Sequence, residues 1–181
     1  MTAVAARDRL AALEPACSLA EALALYDDLA AVATTEVRGT WRGRELRTGH
    51  PMDGLLEATG WYGKRFDDDE SVHPLLFSTS SGDVVSVDPR KVPMGLAGRV
   101  PVGAVARARF AVDLLRPALR TRRPRARLRA VEHRGVVTAA MVYDHLPIID
   151  VFRRVDDDTL LGLMDLRTHP QPYLFILSRA A

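Results

Sequence analysis

The chain has 181 residues, 48% hydrophobic and 27% charged, which suits one globular domain with a substantial core. Its net charge of +2 is too small to point to nucleic acid, and its single cysteine excludes an intrachain disulfide. No stretch approaches the roughly 18 apolar residues of a membrane span, and the opening MTAVAARDRL is charged where a secretory signal is apolar, so the expected location is the cytoplasm.

Residues 3–33 are rich in Ala and Leu and predict helices. Pro15 ends a first one, and Ser18 with Glu21 is a capping box that opens a second over 19–33. Val37 to Arg42 predicts a strand, with Arg44 to Arg47 pairing back through Gly43. Pro51, Asp53 and Gly60 predict a short helix over 51–58. WYGKRF follows it, and then an acidic turn. Leu75–Thr79 and Asp83–Val87 predict a hairpin around Ser80–Gly82. A Pro/Gly-rich loop over 89–101 precedes a predicted helix over 102–119, in which Arg109, Asp113, Arg116 and Arg120 share one face.

The last third alternates most clearly. Strands are predicted over 127–133, 136–143, 147–155, 159–166 and 173–179, joined mostly by short turns. With the earlier strands the count reaches eight or nine, and a meander of that length curls and closes to remove its edges. The fold class is therefore mainly β: an antiparallel barrel with N-terminal helices. Three regions are expected: 1–35 helical, 36–119 opening on GTWRG, and 120–181 a meander that completes the barrel.

Gly39-Thr-Trp41-Arg-Gly43 carries a resemblance. With Thr48, His50, Pro51, Asp53–Leu56, Trp61–Phe66, Pro74–Phe77, Tyr143, Asp144, Leu146–Asp150, Phe152, Arg153 and Leu161–Asp165, it resembles the bacterial GXWXG family and its usual C-terminal domain of unknown function. No activity follows from that resemblance. The Gly-x-Trp at the first strand also resembles lipocalins within the calycin superfold. There the tryptophan closes one end of the barrel and an arginine near the chain end stacks on it. The implied pair here is Trp41 and Arg179, with Gly39 and Gly43 as structural glycines.

A barrel of about eight strands can hold one small ligand in a mostly apolar interior. Asp150 shares a strand face with Ile148 and Phe152, and Asp165 shares one with Leu161 and Leu163. Arg153, Arg154 and Arg167 are the nearest cations in sequence to pair with these carboxylates. The candidate ligand-binding residues are Trp41, Trp61, Lys64, Tyr143, Asp150, Phe152 and Asp165. The expected function is binding of a small hydrophobic molecule, such as a lipid, fatty acid or polyketide, without a cofactor. A cofactor-free isomerase or cyclase is the alternative, and a haem barrel held by His145 or His169 is a second. An unpaired cavity carboxylate would favour the enzyme, and a paired one would favour binding. No histidine pair has metal-helix spacing, and no metal site is expected. His50 reads as a helix cap. Arg120, Arg122, Arg123, Arg125, Arg127 and Arg129 form a basic stretch without aromatics, a surface linker compatible with contact to an anionic membrane. A homodimer is compatible with the chain.

Overall fold

Two helices open the chain, α1 (Ala3–Leu13) and α2 (Leu19–Asp28). Ser18 caps α2 through the reciprocal Ser18–Glu21 box, and α2 ends at Asp28, five residues before the predicted end. A computed structural model describes residues 1–79, 82–92, 103 and 118–180. Most of the loop expected over 89–101 and of the helix expected over 102–119, and the tip of the hairpin at 80–81, lie outside the described residues.

Nine strands follow: β1 (Gly39–Glu45), β2 (Trp61–Phe66), β3 (Val72–Ser78), β4 (Val84–Ser86), β5 (Ala126–His133), β6 (Val136–Tyr143), β7 (Ile148–Asp156), β8 (Thr159–Leu166) and β9 (Tyr173–Arg179). The short helix α3 (Leu55–Thr59) lies between β1 and β2. All pairings are antiparallel, in the order β2-β1-β9-β8-β7-β6-β5-β3-β4, and β2 also pairs with β3. That last pairing closes eight strands into a barrel and leaves β4 as a short addition beside β3. The seam between β3 and β5 is a single pair, Val72 with Ala126.

Two elements differ from expectation. β1 does not turn back at Gly43: it runs straight through to Glu45, pairing with β2 on one side and β9 on the other. The helix expected from Pro51 starts only at Leu55, because residues 51–54 form turns and Gly54 adopts the left-handed conformation at φ +83°. WYGKRF, which follows that helix, forms a strand of its own, β2.

Two cores result. The inner core includes Trp41, Phe66, Met141, Phe152, Met164 and Phe175. The outer core lies beneath the two helices, where Ala6, Leu10, Leu25 and Tyr26 meet Leu161, Leu163, Leu174 and Ile176. β8 and β9 are therefore buried on both faces, which explains their continuous apolar runs.

The GTWRG stretch closes one end. Trp41 is fully buried and donates its indole N–H to the Val37 carbonyl at 2.7 Å. The Arg179 guanidinium stacks over the ring at 4.3 Å. The same guanidinium donates to the Arg38 and Glu36 carbonyls at 2.9 and 3.1 Å and meets Asp158 at 3.2 Å. Gly39, at φ +110°, turns the chain into β1 beside Arg179. Gly43 serves differently: a Cβ there would lie 2.2 Å from the ring of Trp61, which covers that bare stretch of backbone.

Gly43→Ala should therefore force the Trp61 ring off the wall and cost about 1–3 kcal/mol. That corresponds to a fall in Tm of several degrees on thermal unfolding. Combining it with Trp61→Leu should recover part of the loss, since the two effects share one contact. An unchanged Tm for Gly43→Ala would contradict the close approach.

Candidate functional site

Inside the barrel the wall is aromatic and aliphatic. Trp61 meets Phe175 edge to face at 5.9 Å, Phe175 meets Phe152 at 6.4 Å, and Phe152 meets Phe66 at 5.7 Å. Two charged side chains sit within this lining. Lys64 is 3% exposed and Asp150 1%, and they form an ion pair at 2.7 Å. Lys64 also donates to the Pro74 carbonyl at 3.3 Å. Its ammonium lies over three rings: Phe175 at 4.9 Å, Trp61 at 5.5 Å and Tyr143 at 5.9 Å.

The backbone explains how Lys64 gets there. β2 is irregular between Trp61 and Arg65, where its register with β3 shifts around Gly63. The irregularity breaks strict alternation, so Trp61, Lys64 and Phe66 are all buried. Asp150 reaches the same space from near the start of β7, between Ile148 and Phe152.

Burial pushes the Asp150 carboxyl above its ordinary range, and the Lys64 ammonium opposes that rise. Burial, and then the Asp150 charge, pushes the Tyr143 phenol well above its usual value. Asp150 Oδ2 has its ammonium, but Asp150 Oδ1 and Trp61 Nε1 are buried without a hydrogen-bond partner. One is an acceptor and the other a donor.

A second polar group covers the end of the barrel opposite Trp41. Asp53 Oδ2 accepts the backbone N–H groups of Thr48, Gly49 and His50 at 3.1, 2.8 and 3.0 Å. Glu45, at the end of β1, accepts from Gly54 and Leu56 at 2.5 and 2.6 Å. His50 Nδ1 accepts the Met52 N–H at 3.1 Å, so the ring's proton resides on Nε2. Burial lowers the His50 pKa and favours that neutral form. The Tyr173 ring stands 5.2 Å from the His50 ring, and burial followed by the nearby Glu45 charge raises its phenol pKa. Thr48 Oγ1 and Asp53 Oδ1 are buried without hydrogen-bond partners, whereas the His50 ring bonds to the Gln171 backbone and the Tyr173 hydroxyl to the Glu45 carboxylate.

Of the sequence-derived candidates, Trp41, Trp61, Lys64, Tyr143, Asp150 and Phe152 are buried within or against the inner core. Asp165 is not: it shares the face of Leu161 and Leu163, but that face is the outer one, and Asp165 is exposed there. The arginines expected beside Asp150 are elsewhere. Arg153 packs over Tyr26 at 5.2 Å, Arg154 pairs with Glu36, and Arg167 is exposed; the partner is Lys64. His145 is exposed, and His169 lies 6.0 Å from His50. Among the described residues, no group of three or more His, Cys, Asp or Glu could hold a metal. His50 is no helix cap; it accepts within its own loop. The basic stretch is partly neutralised, with Arg125, Arg127 and Arg129 paired to Asp88, Asp144 and Glu70. Sequence reasoning missed Phe175, Thr48, Asp53 and Tyr173 as site residues. Thr48 and Asp53 could have been found from the stretch TGHPMDG, which sets three polar side chains around two glycines.

The two halves of the barrel correspond to two family models. One, described as GXWXG protein, matches residues 24–82, and one described as a domain of unknown function (DUF4334) matches residues 124–179. A crystal structure of a protein from Thermomonospora curvata is 36% identical, covers 87% of this chain and 84% of its own, and superimposes with a TM-score of 0.65. The chain belongs to the GXWXG family. No curated protein matches it. The similarity thus extends to the fold. What the interior does has to be argued from the interior. Among the described residues, no helix is long and apolar enough to cross a membrane.

Lys64→Met should leave Asp150 buried and unpaired, at a cost of about 3–5 kcal/mol near neutral pH. Without the ammonium the Asp150 pKa rises further above its unfolded value. The folded state then holds a proton that the unfolded chain has released. Stability therefore falls as pH rises from the ordinary carboxylate range through the raised value. Urea unfolding should show the variant's deficit larger at pH ~8 than at pH ~5. Lys64→Met with Asp150→Leu should recover most of it. A deficit independent of pH would refute the pairing.

Proposed function

We propose that the barrel binds a small, uncharged, apolar molecule carrying a hydroxyl group. The reading rests on one observation: an acceptor, Asp150 Oδ1, and a donor, Trp61 Nε1, are both buried without partners in an otherwise apolar interior. Buried polar atoms are costly when left unpaired, so a resident group that supplies both bonds would be favoured. A hydroxyl can donate to Asp150 and accept from Trp61. Burial of the ligand's apolar body supplies the affinity, at about 25 cal/mol per Å² before ordering costs.

A fatty acid fits less well. The Lys64 ammonium already has Asp150 at 2.7 Å, so an added carboxylate would meet the free carboxylate oxygen rather than an unpaired cation. The same pairing weighs against an isomerase or cyclase, which would need Asp150 free to take or give a proton. A surface depression of about 280 Å³ near Trp41 is a poorer candidate, since Arg154 and Arg179 in its wall are held by Glu36 and Asp158.

Titration with n-decanol, decanoate and decane is the direct test, read by thermal shift and by tryptophan fluorescence. The alcohol should raise Tm and bind about tenfold more tightly than the carboxylate. Asp150→Asn should erode that preference. Native mass spectrometry of freshly purified protein should show a neutral adduct that organic extraction removes. Tighter binding of decanoate, or no response to any probe, would sink the reading.

A further inference from the structure

The chain chooses its cations unevenly. Of its 25 lysines and arginines, only Lys64 and Lys91 are lysines. Lys91 is exposed and donates to the Ala118 carbonyl. Lys64 is buried inside the barrel. Arg153, a second buried cation, packs over Tyr26 and donates to the His133 carbonyl. An arginine pairs with a carboxylate at least as well as a lysine, but it does not give up its proton. A lysine does, and its neutral amine is a nucleophile. The lysine at position 64 therefore suits a task that pairing alone does not require.

Its surroundings suit the same task. The ammonium meets Asp150 at 2.7 Å and the Pro74 carbonyl at 3.3 Å. Two of its three N–H groups are thus engaged, and the third has no acceptor among the described residues. The rings of Phe175, Trp61 and Tyr143 stand around it. Passing one proton from Lys64 to Asp150 turns two buried charges into two neutral groups, a change that an apolar interior favours. Burial already pushes the Asp150 carboxyl upward. The proton that Asp150 would handle is the one its own partner releases. The pairing that weighs against an isomerase is what this step requires.

We propose that Lys64 condenses with an apolar aldehyde to form an imine inside the barrel, with Asp150 as proton carrier and then as counter-ion. The proposal rests on the binding reading above for the entry of a small apolar molecule, and adds a covalent ligand class to it. Asp150 first takes a proton from the ammonium. The amine lone pair then forms a C–N bond to the carbonyl carbon, and the C=O π pair moves to oxygen. A proton shift from nitrogen to that oxygen gives a carbinolamine. Its new hydroxyl can donate to Asp150 Oδ1 and accept from Trp61 Nε1–H, the two buried atoms that lack partners. The nitrogen lone pair next forms the C=N bond as the C–O bond breaks, and Asp150 returns its proton to the oxygen, which leaves as water. The product is a protonated imine beside an ionised Asp150, so the buried pair of opposite charges is restored. No oxidant or reductant is consumed.

The test incubates the full chain with n-decanal and cyanoborohydride, which reduces an imine to a stable secondary amine. Peptide mass spectrometry then maps the alkylated residues. Lys91 and the amino terminus report adventitious modification within the same molecule. Lys64 should take up one decyl group at least about tenfold faster than Lys91, although Lys91 is the exposed lysine. Asp150→Asn should slow that labelling about a hundredfold and leave Lys91 unchanged. Lys64→Arg keeps a cation and should leave the barrel unlabelled. With 4-butylbenzaldehyde in place of decanal and no reductant, the adduct should absorb to the red of a neutral imine, the signature of a protonated one. Label confined to Lys91 and the amino terminus, or a Lys64 rate no greater than that of Lys91, would overturn the proposal. Both readouts use the unmodified sequence, so a misfolded variant does not obscure them. An adduct with neutral-imine absorbance, or labelling undiminished in Asp150→Asn, would overturn the role given to Asp150. Binding of n-decanol without Lys64 labelling would leave the hydroxyl reading standing and remove the imine. Lys64 labelling without n-decanol binding would do the reverse.

Discussion

Closure of the barrel depends on one junction, where the first strand meets the last. Trp41 and Arg179 are register partners across β1 and β9, and the guanidinium covers the indole that seals the end. The arginine does more than stack. It ties two carbonyls before β1 and a carboxylate after β7 to the last turn of β9. Chain segments separated by more than a hundred residues are thus held at one side chain, and the edges of β1 and β9 satisfy each other. Without that junction β9 would present an open edge and the inner core would be wet.

A sealed interior changes what a charge inside it means. In water, Lys64 and Asp150 would attract only weakly, but at 2.7 Å in an apolar space they are strongly coupled. Coupling is not the same as stabilisation. Moving both charges out of water costs several kcal/mol each, and a well-packed apolar pair often does as well or better. The ion pair is therefore poor evidence of a device for stability. The aromatic cage around the ammonium softens the desolvation cost but leaves Asp150 Oδ1 and Trp61 Nε1 unpaired. Folding alone gives no reason for that arrangement, whereas recognition of a polar group does.

Much of the fold was legible in the chain, for specific reasons. β5 to β9 carry alternation or continuous apolar runs, and short turns fix their order, so the meander was readable without any relative. The Trp41–Arg179 contact was readable only through resemblance, because nothing local connects residues so far apart. The site was harder. Alternation in β8 correctly grouped Asp165 with Leu161 and Leu163, but a strand apolar on both faces does not say which face is inside. Gly162 was an overlooked marker, since a Cβ there would strike the Phe175 ring at 2.3 Å. Lys64 was legible as a candidate but its pairing with Asp150 was not, because the irregularity at Gly63 that turns it inward has no signal stronger than one glycine. The cluster at Thr48, His50 and Asp53 was read as a helix start. In fact Gly54 interrupts the helix and frees those side chains from capping.

The buried Lys64–Asp150 pair and the cluster at Thr48, His50 and Asp53 are built differently. Lys64 and Asp150 project from strands whose neighbours on both sides fix them, so their positions are set by the barrel itself. Thr48, His50 and Asp53 lie on a covering loop held by backbone hydrogen bonds to two carboxylates, against a tyrosine on the wall. A loop can open at lower cost than a strand can leave a barrel, because fewer cooperative bonds are broken. On the proposed binding reading, the unpaired Asp150 Oδ1 and Trp61 Nε1 would be the selective element, and the apolar wall around them is what any barrel of this size provides.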